Sequence, residues 1–162
     1  MDEIVVGMAE CRVGDRPGQV LTTYALGSCI ALTVYDPVSA VGGLVHFMLP
    51  DSSIDSERAR ETPSMFADTA IPLLLAEVAN RGGLKRRLAV HAAGGARMIQ
   101  ENSSFDIGRS NSEALRRELV RAGLALIGES IGGSVARNLR LDIGTGRISL
   151  WEGGVGRYVG QS

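Results

Sequence analysis

The sequence runs to 162 residues, with 17 Lys and Arg against 18 Asp and Glu and a formal net charge of -1. That balance, with no basic stripe, argues against nucleic acid as a partner, and two cysteines are too few for a disulfide framework. The apolar runs fall far short of the ~20 residues a membrane span needs, so no membrane insertion is expected. Apolar residues make up 44% of the chain and charged residues 22%, ordinary for a globular protein. The length suits one domain covering 1–162. Met1-Asp2-Glu3 is an acidic start, unlike the basic one of a signal peptide, so a cytoplasmic chain with reduced thiols is expected. The outlier is glycine, at 21 residues. Tight turns, or loops where a backbone must be approached closely, are the physical use of such a surplus.

Residues 4–8 and 19–23 contain β-branched side chains and are predicted as strands, with the Gly14-Asp15-Arg16-Pro17-Gly18 turn between them. Ala25-Leu26-Gly27-Ser28-Cys29 then leads into an apolar strand over 30–35, which Asp36-Pro37 ends. Gly42-Gly43 opens the next strand, 44–49, and Pro50 closes it. The polar stretch 51–61 has no apolar period and is predicted as an exposed loop. A broad apolar face of Met65, Phe66, Ala70, Leu73, Leu74 and Val78 predicts a helix over 62–81. Pro72 either kinks it or moves its start to about Thr69, and Gly82-Gly83 stops it. A strand over 88–93 follows, running into Gly94-Gly95. Ser110 with Glu113 three residues on fits a capping box for a helix reaching Ala122, where Gly123 ends it. Strands over 124–127, 139–143 and 147–151 complete the chain, the last two joined by a Gly144-Thr145-Gly146 hairpin turn. Strands outnumber helices without alternating strictly with them. The expected class is therefore α+β, a layered mixed β-sheet structure with about two main helices.

With two histidines and two cysteines, each candidate for chemistry can be weighed singly. Cys29 sits where a small-residue turn enters a strand, a place that exposes a side chain and aims backbone N–H groups at one point. Against that, a free cysteine is usually a small buried hydrophobe, and local sequence alone favours this for Cys29 and Cys11. His46 lies within an apolar strand, where a satisfied core histidine is the commoner outcome. If Thr33 faced His46 across a hairpin, Cys29 would lie four positions away, roughly 13 Å along the strand and beyond a hydrogen bond. A Cys2His2 zinc set of Cys11, Cys29, His46 and His91 has separations of 18, 17 and 45. Structural zinc sites use close pairs, so no metal is expected. Gly94-Gly95-Ala96-Arg97 lacks the phosphate-loop pattern and is expected to form a turn or a close backbone packing contact. No cofactor is expected.

Leu26-Gly27-Ser28-Cys29, Asp36-Pro37, Gly42-Gly43-Leu44-Val45-His46 and Met48-Leu49-Pro50 together resemble the CheD family, chemoreceptor glutamine deamidases of bacterial and archaeal chemotaxis. The resemblance continues through Gly94-Gly95-Ala96, Met98, Ile107-Gly108, Asn111, Gly132-Gly133 and Arg137. It implies a fold similar to cysteine-dependent deamidating toxins and a Cys–His–Thr catalytic triad. By position the triad carries over to Cys29, His46 and Thr23, with Thr22 the adjacent hydroxyl. The implied activity converts receptor glutamines to glutamates that serve adaptation as methylation sites. The implied partners are methyl-accepting chemotaxis receptors as substrate and, in organisms that have one, a CheC-type phosphatase. Docking onto that phosphatase without catalysis is the alternative function. The chain departs from the family pattern at His91, where lysine is common, and at Ala136, where glycine is.

Overall fold

Segments rich in Val, Leu, Ile and Thr pair into two five-stranded sheets in the computed structural model, which describes residues 1–98 and 106–160. The first sheet contains β1 (Asp2–Val5), β3 (Gln19–Leu26), β8 (Arg137–Asp142), β9 (Ile148–Glu152) and β10 (Val155–Gly160), in that spatial order. The second is ordered β2 (Cys11–Gly14), β5 (Val41–Phe47), β4 (Ile30–Asp36), β6 (Ala89–Gly94) and β7 (Leu126–Ile131). Both are mixed: β1 runs parallel to β3 and β6 parallel to β7, while the other pairs are antiparallel. Helices α2 (Ala67–Asn80) and α3 (Ile107–Ala122) are the two long ones, and α1 (Ser56–Glu61) is a short third. The expected α+β layering with two main helices is what the chain forms.

The residue alternation of β4 explains the layers. Ile30, Leu32 and Val34 enter one apolar cluster with Val45 and Phe47 of β5 and with Ile71, Leu74 and Leu115 of the two helices. Ala31 and Tyr35 enter a second cluster with Leu44, Leu21, Leu139, Leu141 and Leu150, which fills the space between the sheets. The second sheet is thus the middle layer; its central strands β4, β5 and β6 are buried on both faces and read as near-continuous apolar runs for that reason. Asp36 closes β4 with no exposed surface. Its carboxylate takes the Arg87 guanidinium at 2.8–3.0 Å and the N–H groups of Val38, Ser39 and Leu84, which satisfies the buried charge.

Several elements differ from the sequence expectation. The 51–61 stretch is not a loop. It forms a 3-10 turn at Ser52–Ile54 and then α1, capped by the Asp55 carboxylate on the Arg58 N–H. A six-residue helix is too short to show an apolar period. The second helix begins at Ala67 and keeps Pro72 inside, on the solvent side, where water can take the carbonyl that proline leaves unpaired. Asp106, not Ser110, caps α3 by accepting from the Arg109 N–H, which leaves Ser110 and Glu113 inside the helix. Gly123 ends it in the left-handed conformation as expected. The strands β2 and β10 were not foreseen; both lie at sheet edges.

Candidate active site

His46 lies near the end of β5, Thr23 within β3 and Cys29 just before β4, all on the side where the two sheets face each other. The turn joining β4 and β5 spans residues 37–40, with Asp36 paired to Val41, so Ala31 rather than Thr33 lies opposite His46. The two-residue shift arises because Gly42 and Gly43 belong to the strand and not to the reversal. Cys29, just before β4, is therefore two positions from His46, not four. That makes the two side chains diagonal neighbours on the face between the sheets, where cross-strand side chains come within reach. Cys29 is half-buried and packs against the inter-sheet cluster.

His46 is 1% exposed. Its backbone is held on the outer side by the chain after β1: the His46 N–H donates to Glu10 at 3.0 Å, and the Ala9 N–H donates to the His46 carbonyl at 2.8 Å. Thr23 projects from the other sheet, and its Oγ1 lies 2.8 Å from His46 Nδ1 and 2.7 Å from the Val6 carbonyl. A hydroxyl has one proton, and a carbonyl can only accept. Thr23 therefore donates to Val6 and accepts from Nδ1–H. That fixes the tautomer and leaves the lone pair on Nε2, which is buried and has no hydrogen-bond partner among the described residues. Burial pushes the imidazole down from 6.5 to about 4, so the ring is neutral at pH 7. Thr22 pairs with Arg140 and Val5, and strand alternation turns its side chain to the opposite face, away from His46.

The turn carrying Cys29 is fixed through its carbonyls. Gly27 O accepts from the Ala96 N–H, Cys29 O from the Gly95 N–H, and Ser28 O from Asn111 Nδ2, each at 2.9 Å. Gly94 makes the approach possible. With φ at 118°, a Cβ there would lie 2.1 Å from the Cys29 carbonyl oxygen. The Gly94-Gly95 pair thus serves close backbone packing, one of its two expected uses. Asn111, by contrast, gave no chemical signal in the sequence beyond its place in the resemblance.

The other candidates lie elsewhere. Cys11 packs against the helix-side cluster, and burial followed by the nearby Glu77 charge pushes its thiol up to about 12. His91, 3% exposed, faces the inter-sheet space from β6, two strands from His46, and burial lowers its pKa. Of the four residues in the Cys2His2 set, Cys29 and His46 are neighbours while Cys11 and His91 lie apart from them. No group of three or more His, Cys, Asp or Glu side chains suited to a metal occurs among the described residues. Among those residues no helix is long and apolar enough to cross a membrane.

Two mixed sheets backed by helices, with Thr23 and His46 hydrogen-bonded across the space between the sheets and Cys29 two register positions from His46, define a layered α+β protein. The chain belongs to the CheD family: residues 48–151 match the family model described as CheD chemotactic sensory transduction. It is 56% identical over 154 residues, 95% of this chain and 91% of the relative, to a probable chemoreceptor glutamine deamidase CheD of Solibacter usitatus. Similarly named proteins of Syntrophus aciditrophicus and Pyrococcus abyssi are 42% and 39% identical, covering 96% and 90% of their own lengths.

Proposed function

We propose that this protein hydrolyses the side-chain amide of glutamines in methyl-accepting chemotaxis receptors, with Cys29 as nucleophile, His46 as acid and base, and Thr23 as the group that orients His46. The observation that carries this is the Thr23 hydroxyl between the Val6 carbonyl and His46 Nδ1, which leaves Nε2, without a hydrogen-bond partner among the described residues, on the face shared with Cys29. The names of the relatives supply the substrate class.

An ordinary thiol titrates near 8.5, so little thiolate is present at pH 7 without a base. With the imidazole neutral at rest, the proton passes from sulfur to Nε2 as the S–C bond to the amide carbon forms. The amide oxygen becomes an oxyanion, for which the backbone N–H groups around residues 27–29 are the proposed donors. As the intermediate collapses, Nε2–H gives its proton to the leaving nitrogen and ammonia departs, leaving a thioester. Water then attacks that carbon while Nε2 takes its proton. The C–S bond breaks, the thiol is reprotonated from the imidazolium, and glutamate is released.

The test is incubation with a receptor cytoplasmic fragment, with the amide-to-acid mass change read on peptides. Wild type converts specific glutamines and Cys29→Ala does not; equal conversion by both would overturn the proposal. The pH profile gives a second check. Protonation of Nε2 removes the base, so kcat/KM falls as pH drops through about 4 rather than through the usual histidine range.

A further inference from the structure

We propose that Asn111 is a positioning residue that locks the nucleophile turn to the strand carrying the base. Asn111 lies in the second turn of α3, has no exposed surface, and spends its side-chain amide on two carbonyls at once. Nδ2 donates to Ser28 O and to Met48 O, both at 2.9 Å. Ser28 is the residue before Cys29, and Met48 is two residues beyond His46. One planar group thus ties together the main chain beside both proposed reacting side chains, although β4 and β5 are already paired by their own ladder up to Ile30 and Phe47. Cys29 and Met48 lie just past the end of that ladder, where it no longer holds them. Two carbonyls can be met only by donors, so the amide orientation is set by chemistry. Its Oδ1 is buried and has no hydrogen-bond partner among the described residues.

The bond to Ser28 has a further geometric effect. In a trans peptide the C=O and the following N–H point in opposite directions. Holding the Ser28 carbonyl therefore sets the plane of the Ser28–Cys29 peptide, the direction of the Cys29 N–H, and the angle at which Cβ and Sγ leave the chain. The helix is brought close enough by Gly108, where a Cβ would lie 2.3 Å from the Ala96 carbonyl oxygen. Ala96 in turn donates to Gly27 O. The start of α3, the Gly94-Gly95-Ala96 segment and the cysteine turn form one braced unit.

The inference rests on the deamidase reading above, and its test has one arm that does not. In Asn111→Ala, kcat for receptor-fragment deamidation is expected to fall roughly 10²-fold, the usual cost of a misplacement near 1 Å, with KM within about threefold. Asn111→Asp, whose carboxyl stays protonated between two carbonyls and keeps one donor, falls less. Thermal melts report folding, and if the alanine variant does not melt cooperatively the aspartate variant decides. The second arm needs no receptor: the pH profile of Cys29 alkylation by iodoacetamide, read by mass, moves to higher pH in the variants. A folded variant with wild-type kcat and an unmoved alkylation profile overturns the inference. So does loss of activity only in proportion to loss of folded protein. Failure of the deamidase reading shows differently, as an inactive wild type or an active Cys29→Ala with the alkylation shift still present.

Discussion

At the scale of single residues, the two cysteines and the Thr22-Thr23 pair make the sharpest contrast. Cys11 and Cys29 are both half-buried, yet Cys11 faces the helices with its thiol pushed up to about 12. Native protein treated with iodoacetamide at pH 8 is therefore expected to be labelled at Cys29 and not at Cys11, and Cys11→Ala to keep full deamidase activity. Labelling of Cys11 at an equal rate would contradict this. In the threonine pair, Thr23→Val removes the acceptor for Nδ1–H and is expected to lower kcat about 10²-fold, within the range of a misused acid–base group. Thr23→Ser keeps the hydroxyl and most of the rate. Thr22→Val, on the other face, should leave kcat unchanged. Cys29 and His46 stood out as candidates in the sequence, but their pairing with each other and with Thr23 was accessible only through the resemblance. The separation of 17 between Cys29 and His46 is compatible with contact or with 13 Å, according to a two-residue choice of register. That choice is made by where Gly42 and Gly43 pair, and periodicity does not record it.

At the scale of elements, the strands with strong apolar character were legible, and the elements that depend on a neighbour were not. The middle-layer strands β4, β5 and β6 are buried on both faces and announce themselves as apolar runs. The edge strands β2 and β10, and the six-residue α1, are short and take their form from what they pair with or pack on. Gly94 tests the element-scale account directly. Gly94→Ala places a Cβ against the Cys29 carbonyl at a backbone angle that L-residues rarely adopt, so the cysteine turn must move. Activity should fall at least tenfold while cooperative melting persists at reduced temperature. A variant with wild-type activity would show that the turn's position does not matter.

At the scale of the whole molecule, buried titratable groups set the response to acid. His46 and His91 are buried and neutral, with pKa values lowered by burial. Between the folded and unfolded values the unfolded chain binds more protons, so stability falls as pH falls through that window. For His46, from 6.5 to about 4, this is of order 3 kcal/mol. Burial alone would raise the Asp36 carboxyl, but Arg87 and the three backbone N–H groups outweigh it and hold it well below the ordinary carboxylate range. Its contribution is present above about pH 4 and is lost as the solution becomes more acidic. Urea unfolding midpoints should therefore decline steadily from pH 7 to pH 4 and steeply below. Replacing His46 with a neutral side chain of similar size should flatten the upper part of that decline. The Thr23–His46 hydrogen bond has one further consequence, because its donor and acceptor sit on different sheets. No strand ladder between the sheets enforces that distance; the apolar seam does, together with the 6–10 segment, which bonds Thr22 and Thr23 on one side and His46 on the other. The active geometry is thus a gauge of how the two sheets are seated. Mild denaturant or a cavity at Leu139 or Leu141 should silence turnover while both sheets are still intact.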